Sequence, residues 1–308
     1  MPAARKTYWH LGNGRRLPSD YEVASSRLLY YVERGGFELE LPASAFYARN
    51  QAGSPLACKR WEDFADPRAT TYRSYVDIER ERESYVGRLL ATIEDSGHDD
   101  KLPPAWLDTL AGVLSPLRFV CHGLQMAAAY VGHMAPSGRI AVAALFQCGD
   151  EIRRVQRIAH RLAQLQRARP GIAEEGRRRW QSGDAWQPLR RAIEKLLVTY
   201  DWGEALVALN VCLKPAIDDV YLSELADLAE RSNDHLDAQI LRSLAEDCQW
   251  QRAWTDALLS LAYADRHENR EVVTRWTDAW APIAGDAARA AVHTIGLDTT
   301  PWPERRHG

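Results

Sequence analysis

The feature that most constrains this chain is a series of long helix-forming runs, each cut off by proline, glycine or a short polar break. One run starts after Pro103-Pro104 and reaches about His133, where "APSG" at 135–138 turns the chain. The next spans about Arg139 to Arg167 and stops at Pro170-Gly171. "DWGEAL" at 201–206 opens a third that reaches about Arg231, with Pro215 inside it expected to kink it. "SND" at 232–234 breaks and recaps the chain, and a fourth run covers about 235–264. Shorter or flanking helices are expected over about 69–94, 188–199 and 269–294, and strands are nearly absent. Apolar positions Leu145, Cys148, Ile152, Val155, Ala159 and Leu162 alternate by three and four, which predicts the buried seam of a bundle helix.

Two helix pairs (105–133 with 139–169, and 203–231 with 235–264) joined by a longer crossover are the layout of ferritin-like bundles. The expected fold is therefore all-α: a ferritin-like helical bundle over 66–295, with an extended N-terminal arm over 1–65 and a proline-rich tail over 296–308. The arm is poor in helical period but carries Tyr8, Trp9, Tyr21, Tyr30, Tyr31, Phe37, Phe46 and Tyr47. Disorder goes with few aromatics, so an arm that packs on this chain or on another subunit is expected.

Composition excludes several classes. A formal net charge of −3 gives no basic excess for nucleic acid. No run approaches the ~18 apolar residues of a membrane span, and residues 1–20 hold no apolar core of a signal peptide. The five cysteines are widely spaced with no CxxC, which predicts buried thiols rather than disulfides or structural zinc, and a cytoplasmic setting. Eleven tryptophans hint at subunit contacts as well as core.

Di-iron bundles of this layout take a Glu from each of two helices and a Glu-x-x-His pair from each of the other two. That spacing sets both side chains on one helix face. The single match here is Glu304 with His307, in the tail and away from any long helix. In "CGDEIRR" Glu151 is followed at the third position by Arg154, which stays protonated and offers no lone pair to a metal. In "AEDCQWQ" Glu246 and Asp247 are followed by Gln249 and Trp250. Cys121 and His122 on one facing helix, with Cys212 and Lys214 on the other, do not supply two glutamates. Glu151, Arg154, Asp247 and Trp250 thus read as positions of a vacated site. Glu151 borders the apolar seam while Arg154 turns away from it, which favours a surface ion pair over a buried one. Two further readings stay open: an enzyme with a non-standard metal or haem site near Cys121, His122 and Cys148, and a free-standing helical ligand- or protein-binding module.

Five stretches also carry a family resemblance: "KTYWHLGNGRRLPSDYEVASSRLLYY" (6–31), "SPL" with "WEDFADPRATTYRSY" (54–75), "ESYV" (83–86), "SPLRFVCHGLQMAAAYVGHMAPSG" (115–138) and "DWGEALVALNVCLKPAI" (201–217). In this order and at these intervals the chain resembles the β-subunit of the hydroxylase component of bacterial multicomponent di-iron monooxygenases, the toluene, aromatic and alkene group. The resemblance implies a metal-free relative of an iron-bearing α-subunit, assembled with α, a small γ and a second β in a dimer of αβγ units. It implies a coupling protein, a ferredoxin and an NADH reductase as further partners, with hydrocarbon oxidation located in α. It also implies that the arm residues Tyr8, Trp9, Tyr21, Tyr30 and Tyr31, and His122, Met126 and Tyr130 on the second helix, face partners. Which hydrocarbon is oxidised is not written in this chain.

Overall fold

The computed structural model describes residues 19–22, 42–94 and 96–297. Tyr8, Trp9, Tyr30, Tyr31 and the tail beyond 297 lie outside the described residues. Helix α1 (Pro42–Tyr47) runs into a π turn (Ala48–Ala52). It is followed by α2 (Tyr72–Glu94), α3 (Pro104–Met134), α4 (Gly138–Ala168), α5 (Gly176–Ser182) and α6 (Gln187–Leu197). Then come α7 (residues 202–231), α8 (His235–Asp265) and α9 (Glu268–Thr294). Among the described residues there is no strand, and no helix is long and apolar enough to cross a membrane.

Local chemistry sets the helix ends. Pro104 opens α3 at a position where its missing N–H costs nothing. Ser137 caps α4 by accepting from the Ile140 N–H. Asp201 caps α7 through the N–H groups of Gly203 and Glu204 at 2.9 and 3.0 Å. Asp234 caps α8 through the Asp237 N–H at 3.0 Å. Pro215 does not end α7. It stands two residues beyond a π segment (Val207–Leu213), where the hydrogen-bond ladder already changes register and the lost N–H is absorbed. A second π segment (Asp219–Glu224) follows in the same helix.

α3 packs along α4 as one antiparallel pair, α7 along α8 as the other, α2 lies on α8, and α9 covers α7 and α6. The stretch 171–187, expected as a plain connection, holds α5 and a 3-10 turn, and α5 presses on α3. A Cβ at Gly176 would fall 1.8 Å from Ser115 Oγ, so only glycine permits that approach. Trp250, Trp254, Trp276 and Trp280 are all buried, so their helical spacing marks core packing.

α4 corrects the sequence expectation. Of its apolar seam, Cys148 and Leu162 are buried as expected, but Leu145 is 52% and Ile152 44% exposed, while Gln147, Asp150, Glu151, Arg154 and Arg161 are buried. Periodicity locates a stripe but not the side it faces. Here the facing helices present charge, and charge inside the bundle selects charge on α4.

The arm also differs from expectation. Tyr21, expected to face a partner, is buried in its own chain, its hydroxyl oxygen accepting from the Asp66 N–H at 2.9 Å. The phenol gains both core contact and a backbone partner there. Gln51 donates to the carbonyls of Met134 and Ala135, both at 3.0 Å, and Ser54 donates to Asp201 at 2.8 Å. The arm thus fastens the turn between α3 and α4 and the start of α7.

Candidate functional site

At the middle of the bundle, side chains from four long helices meet. Glu151 is 0% and Arg154 3% exposed, so the pair is buried, not a surface ion pair. Arg154 donates to Glu151 at 3.3 Å, to Asp218 of α7 at 2.7 Å and to the Cys248 sulfur of α8 at 2.6 Å. Lys214, one turn before Asp218, pairs with Glu151 and with Asp218 at 3.1 Å. Cys121 of α3 closes the group, and its thiol is pushed up to about 12 by burial and by the charge of Glu151. Two anions therefore meet two cations with no charge left over. Burial would raise the Asp218 carboxyl, but Arg154 and Lys214 outweigh it and hold it below the usual carboxylate range. Burial and Arg154 depress the Lys214 ammonium, yet Asp218 and Glu151 carry it up to about 12. Mutual pairing is what makes burial of these four charges tolerable.

Asp247 and Trp250 do not join this centre. Asp247 accepts from Arg153 at 3.0 Å and from Arg82 of α2, in a second cluster with Glu79 and Asp150. One carboxylate oxygen from each of Glu79, Asp150 and Asp247 lies within 4.8 Å of the others. Trp250 donates its indole N–H to Asp66 at 2.7 Å, and the Arg68 guanidinium stacks on its ring at 4.4 Å. On α8 the residue that reaches the centre is Cys248, one position along from Asp247. One residue is about 100° of helix rotation, enough to exchange the inner cluster for the outer one. Sequence reasoning missed Asp218 and Cys248. The i, i+4 pair of Lys214 and Asp218 on α7 was the available signal.

The haem or non-standard metal reading loses its geometry. His122 points to the surface, and the Cys148 sulfur lies against Gln125 at 3.2 Å between α3 and α4. Nor does the bundle centre fit a pair of metal ions. A guanidinium and an ammonium occupy its middle, both remaining carboxylates are engaged by them, and no histidine reaches it among the described residues. Met126 is exposed beside His122, and Tyr130 donates its hydroxyl to the Tyr200 carbonyl at 2.6 Å.

Comparison with known proteins agrees with this architecture. The chain is 33% identical over 302 residues to the β-subunit of the hydroxylase component of the toluene-4-monooxygenase system of Ectopseudomonas mendocina, covering 96% of this chain and 92% of that one. A solved structure of toluene 4-monooxygenase with toluene in its resting active site superposes with a TM-score of 0.88 at 32% identity, covering 94% of this chain and 97% of that chain. Phenol hydroxylase from Pseudomonas sp. OX1 shares the fold, with a TM-score of 0.84 at 20% identity and coverage of 93% and 88%. The family model described as Methane/Phenol/Alkene Hydroxylase matches residues 44–266, and the chain belongs to that family of ferritin-like hydroxylase subunits.

Proposed function

We propose that this chain is the non-catalytic β-subunit of the hydroxylase of a di-iron hydrocarbon monooxygenase of the toluene or alkene type. It scaffolds an iron-bearing α-subunit, with γ, in an (αβγ)2 assembly in the cytoplasm. The observation that carries this reading is the Glu151–Arg154–Lys214–Asp218 centre. It fills the middle of a di-iron-type bundle with fixed cations and leaves no carboxylate unpaired there. In this reading the coupling protein, ferredoxin and reductase serve the assembled complex, and oxygen chemistry belongs to α.

A scaffold also needs a docking face, and α3 with α4 offers one. Over residues 119–134 and 140–152 no Asp, Glu, Lys or Arg side chain reaches the surface, while Met126, Leu145 and Ile152 do. Tyr72 and Val76 of α2 are exposed as well. Apolar helix faces stripped of charge mark interfaces rather than water-facing surfaces. The same face argues against a free-standing module.

The test is co-expression with the iron-bearing subunit, followed by dissociation and metal analysis of each chain. The reading expects a stable complex, iron in α and none at stoichiometric level in this chain. Two irons per purified chain of this protein, the content of a di-iron bundle, would refute it. A stable monomer that ignores α would refute the scaffold role.

A further inference from the structure

We propose that the Glu79–Asp150–Asp247 cluster holds one proton, on Asp150, in place of a third positive charge, and that its loss at rising pH loosens α2 from the bundle. The charges on every side can be counted. α2 presents Tyr75, Glu79, Arg82 and Glu83; α4 presents Asp150, Arg153 and Arg157; α8 presents Glu246, Asp247 and Gln251; the segment before α2 presents Asp66 and Arg68. Glu83 pairs with Arg157 and takes Arg153 at 2.8 Å; Glu246 lies 3.5 Å from Arg82; Arg68, whose Nε donates to Thr70, attracts Asp150 and Asp66 without an ion pair to either. Among the described residues only two guanidiniums, Arg82 and Arg153, are in ion-pair contact with the three clustered carboxylates.

The two guanidiniums are committed. Arg82 bonds Glu79 at 2.7 Å and also Asp247, and Arg153 bonds Asp247 at 3.0 Å and lies 3.4 Å from Glu79. Both oxygens of Asp247 are thereby occupied, so a metal ion would have to displace two arginines to enter. Asp150, 1% exposed, is in ion-pair contact with no cation among the described residues; Arg68 attracts it only from a distance. Its Oδ1 accepts from the Tyr75 hydroxyl at 3.0 Å and its Oδ2 from the Gln251 amide at 2.8 Å, both neutral donors.

Gln251 can serve either protonation state, since as placed its Nε2–H donates to Asp150 Oδ2. It is 2% exposed, and its Oε1 is buried with no partner among the described residues. Amide oxygen and nitrogen are interchangeable by a half-turn of the side chain. Turned over, Gln251 brings Oε1 onto Asp150 Oδ2, which is favourable only when Asp150 carries a proton to donate. Electrostatics agree: burial pushes the Asp150 carboxyl well above its usual range, Asp247 and Glu79 push it further, and the bonds from Gln251 and Tyr75 pull only partly back.

The sign of the pH effect follows. The folded chain binds this proton more tightly than the unfolded chain. The stability is present in full below the ordinary carboxylate range and is lost as pH rises through the folded value. Between the two values the unfolding constant rises about tenfold per pH unit from this group alone. Because α2 carries Tyr72 and Val76, the proton also sets the placement of one edge of the outward apolar face.

The test compares the full-length chain with Asp150→Asn, which keeps the acceptor for Tyr75 and replaces the acid O–H with an amide N–H toward Gln251. Infrared difference spectra should show a protonated-carboxyl carbonyl stretch at neutral pH that is missing in D150N. Urea unfolding over a pH series should show the wild type losing stability about tenfold per unit faster than D150N within the window. Amide exchange over 72–94 should quicken with pH in the wild type relative to D150N. If D150N does not fold, Glu79→Gln removes one repelling charge and should move the wild-type window to lower pH. Absence of the carboxyl band at neutral pH, equal pH slopes in the two proteins, or an unmoved window in E79Q each overturn the proposal.

Discussion

On α4, Ile152 looks outward while Glu151 and Arg154, one and two positions to either side, are sealed in the bundle. Over residues 140–152 the exposed side chains are Leu145 and Ile152, and no charged one reaches the surface; the buried side chains of the helix include Gln147, Asp150, Glu151, Arg154 and Arg161 beside Phe146, Ile158 and Leu162. An ordinary amphipathic helix of a free-standing protein has the reverse arrangement. Each face makes sense only against what it meets. Glu151, Arg153, Arg154 and Arg161 are matched by Lys214, Asp247, Asp218 and Asp237 from neighbouring helices, while Asp150 takes two neutral donors. The outer apolar residues Leu145 and Ile152 meet no such match among the described residues, the arrangement expected of the docking face proposed above. The lesson is that burial on this helix follows partners as well as hydropathy.

The sharpest way to break the inner face is Arg154→Leu. It strands Asp218 and Glu151 with one cation, and a loss of about 3–5 kcal/mol is expected in urea unfolding. Replacing Glu151, Arg154, Lys214 and Asp218 together by apolar residues of similar volume should instead be neutral or stabilising by about 1–4 kcal/mol, because no buried charge is left unpaired. A large loss in that quadruple variant would show that the centre is held by more than mutual pairing.

The outer face is tested by Leu145→Asp and Ile152→Asp. Each should weaken association with the iron-bearing subunit by about 2 kcal/mol or more in a binding titration, the scale of a central interface anchor. Unfolding of the isolated chain should move by no more than about 0.5 kcal/mol, as for surface positions. If the isolated chain collapses instead, the face is core and the comparison fails. Trp250→Phe, which removes the indole bond to Asp66, should cost about 1.5–3 kcal/mol, the range for a hydrogen bond to a charged group. The smallest effect is expected for Arg60→Ala. Its pair with Asp63 at 2.7 Å is exposed, and the change in unfolding should stay within about 0.5 kcal/mol. The contrast of Arg60 with Arg154 separates exposed from buried pairing by roughly an order of magnitude.

Much of the fold was legible locally. The bounds of α3, α4, α7 and α8 follow from Pro104, Ser137, Asp201 and Asp234, because caps and breakers act within one turn of where they stand. The mismatch at Arg154 was legible too, since arginine cannot replace histidine as a ligand wherever it sits. The orientation of α4 was not legible, because a 3.6-residue period is the same whether its stripe faces in or out. The choice of Cys248 over Asp247 turned on one residue of rotation about α8, and the partners Asp218 and Lys214 lie some 60 positions from Glu151. Residue order along the chain determined where helices begin and end and which chemistry each could not perform. The tertiary structure alone decided which charges meet and which apolar side chains are left facing out, because both depend on groups far apart in sequence that only packing brings within a few ångströms.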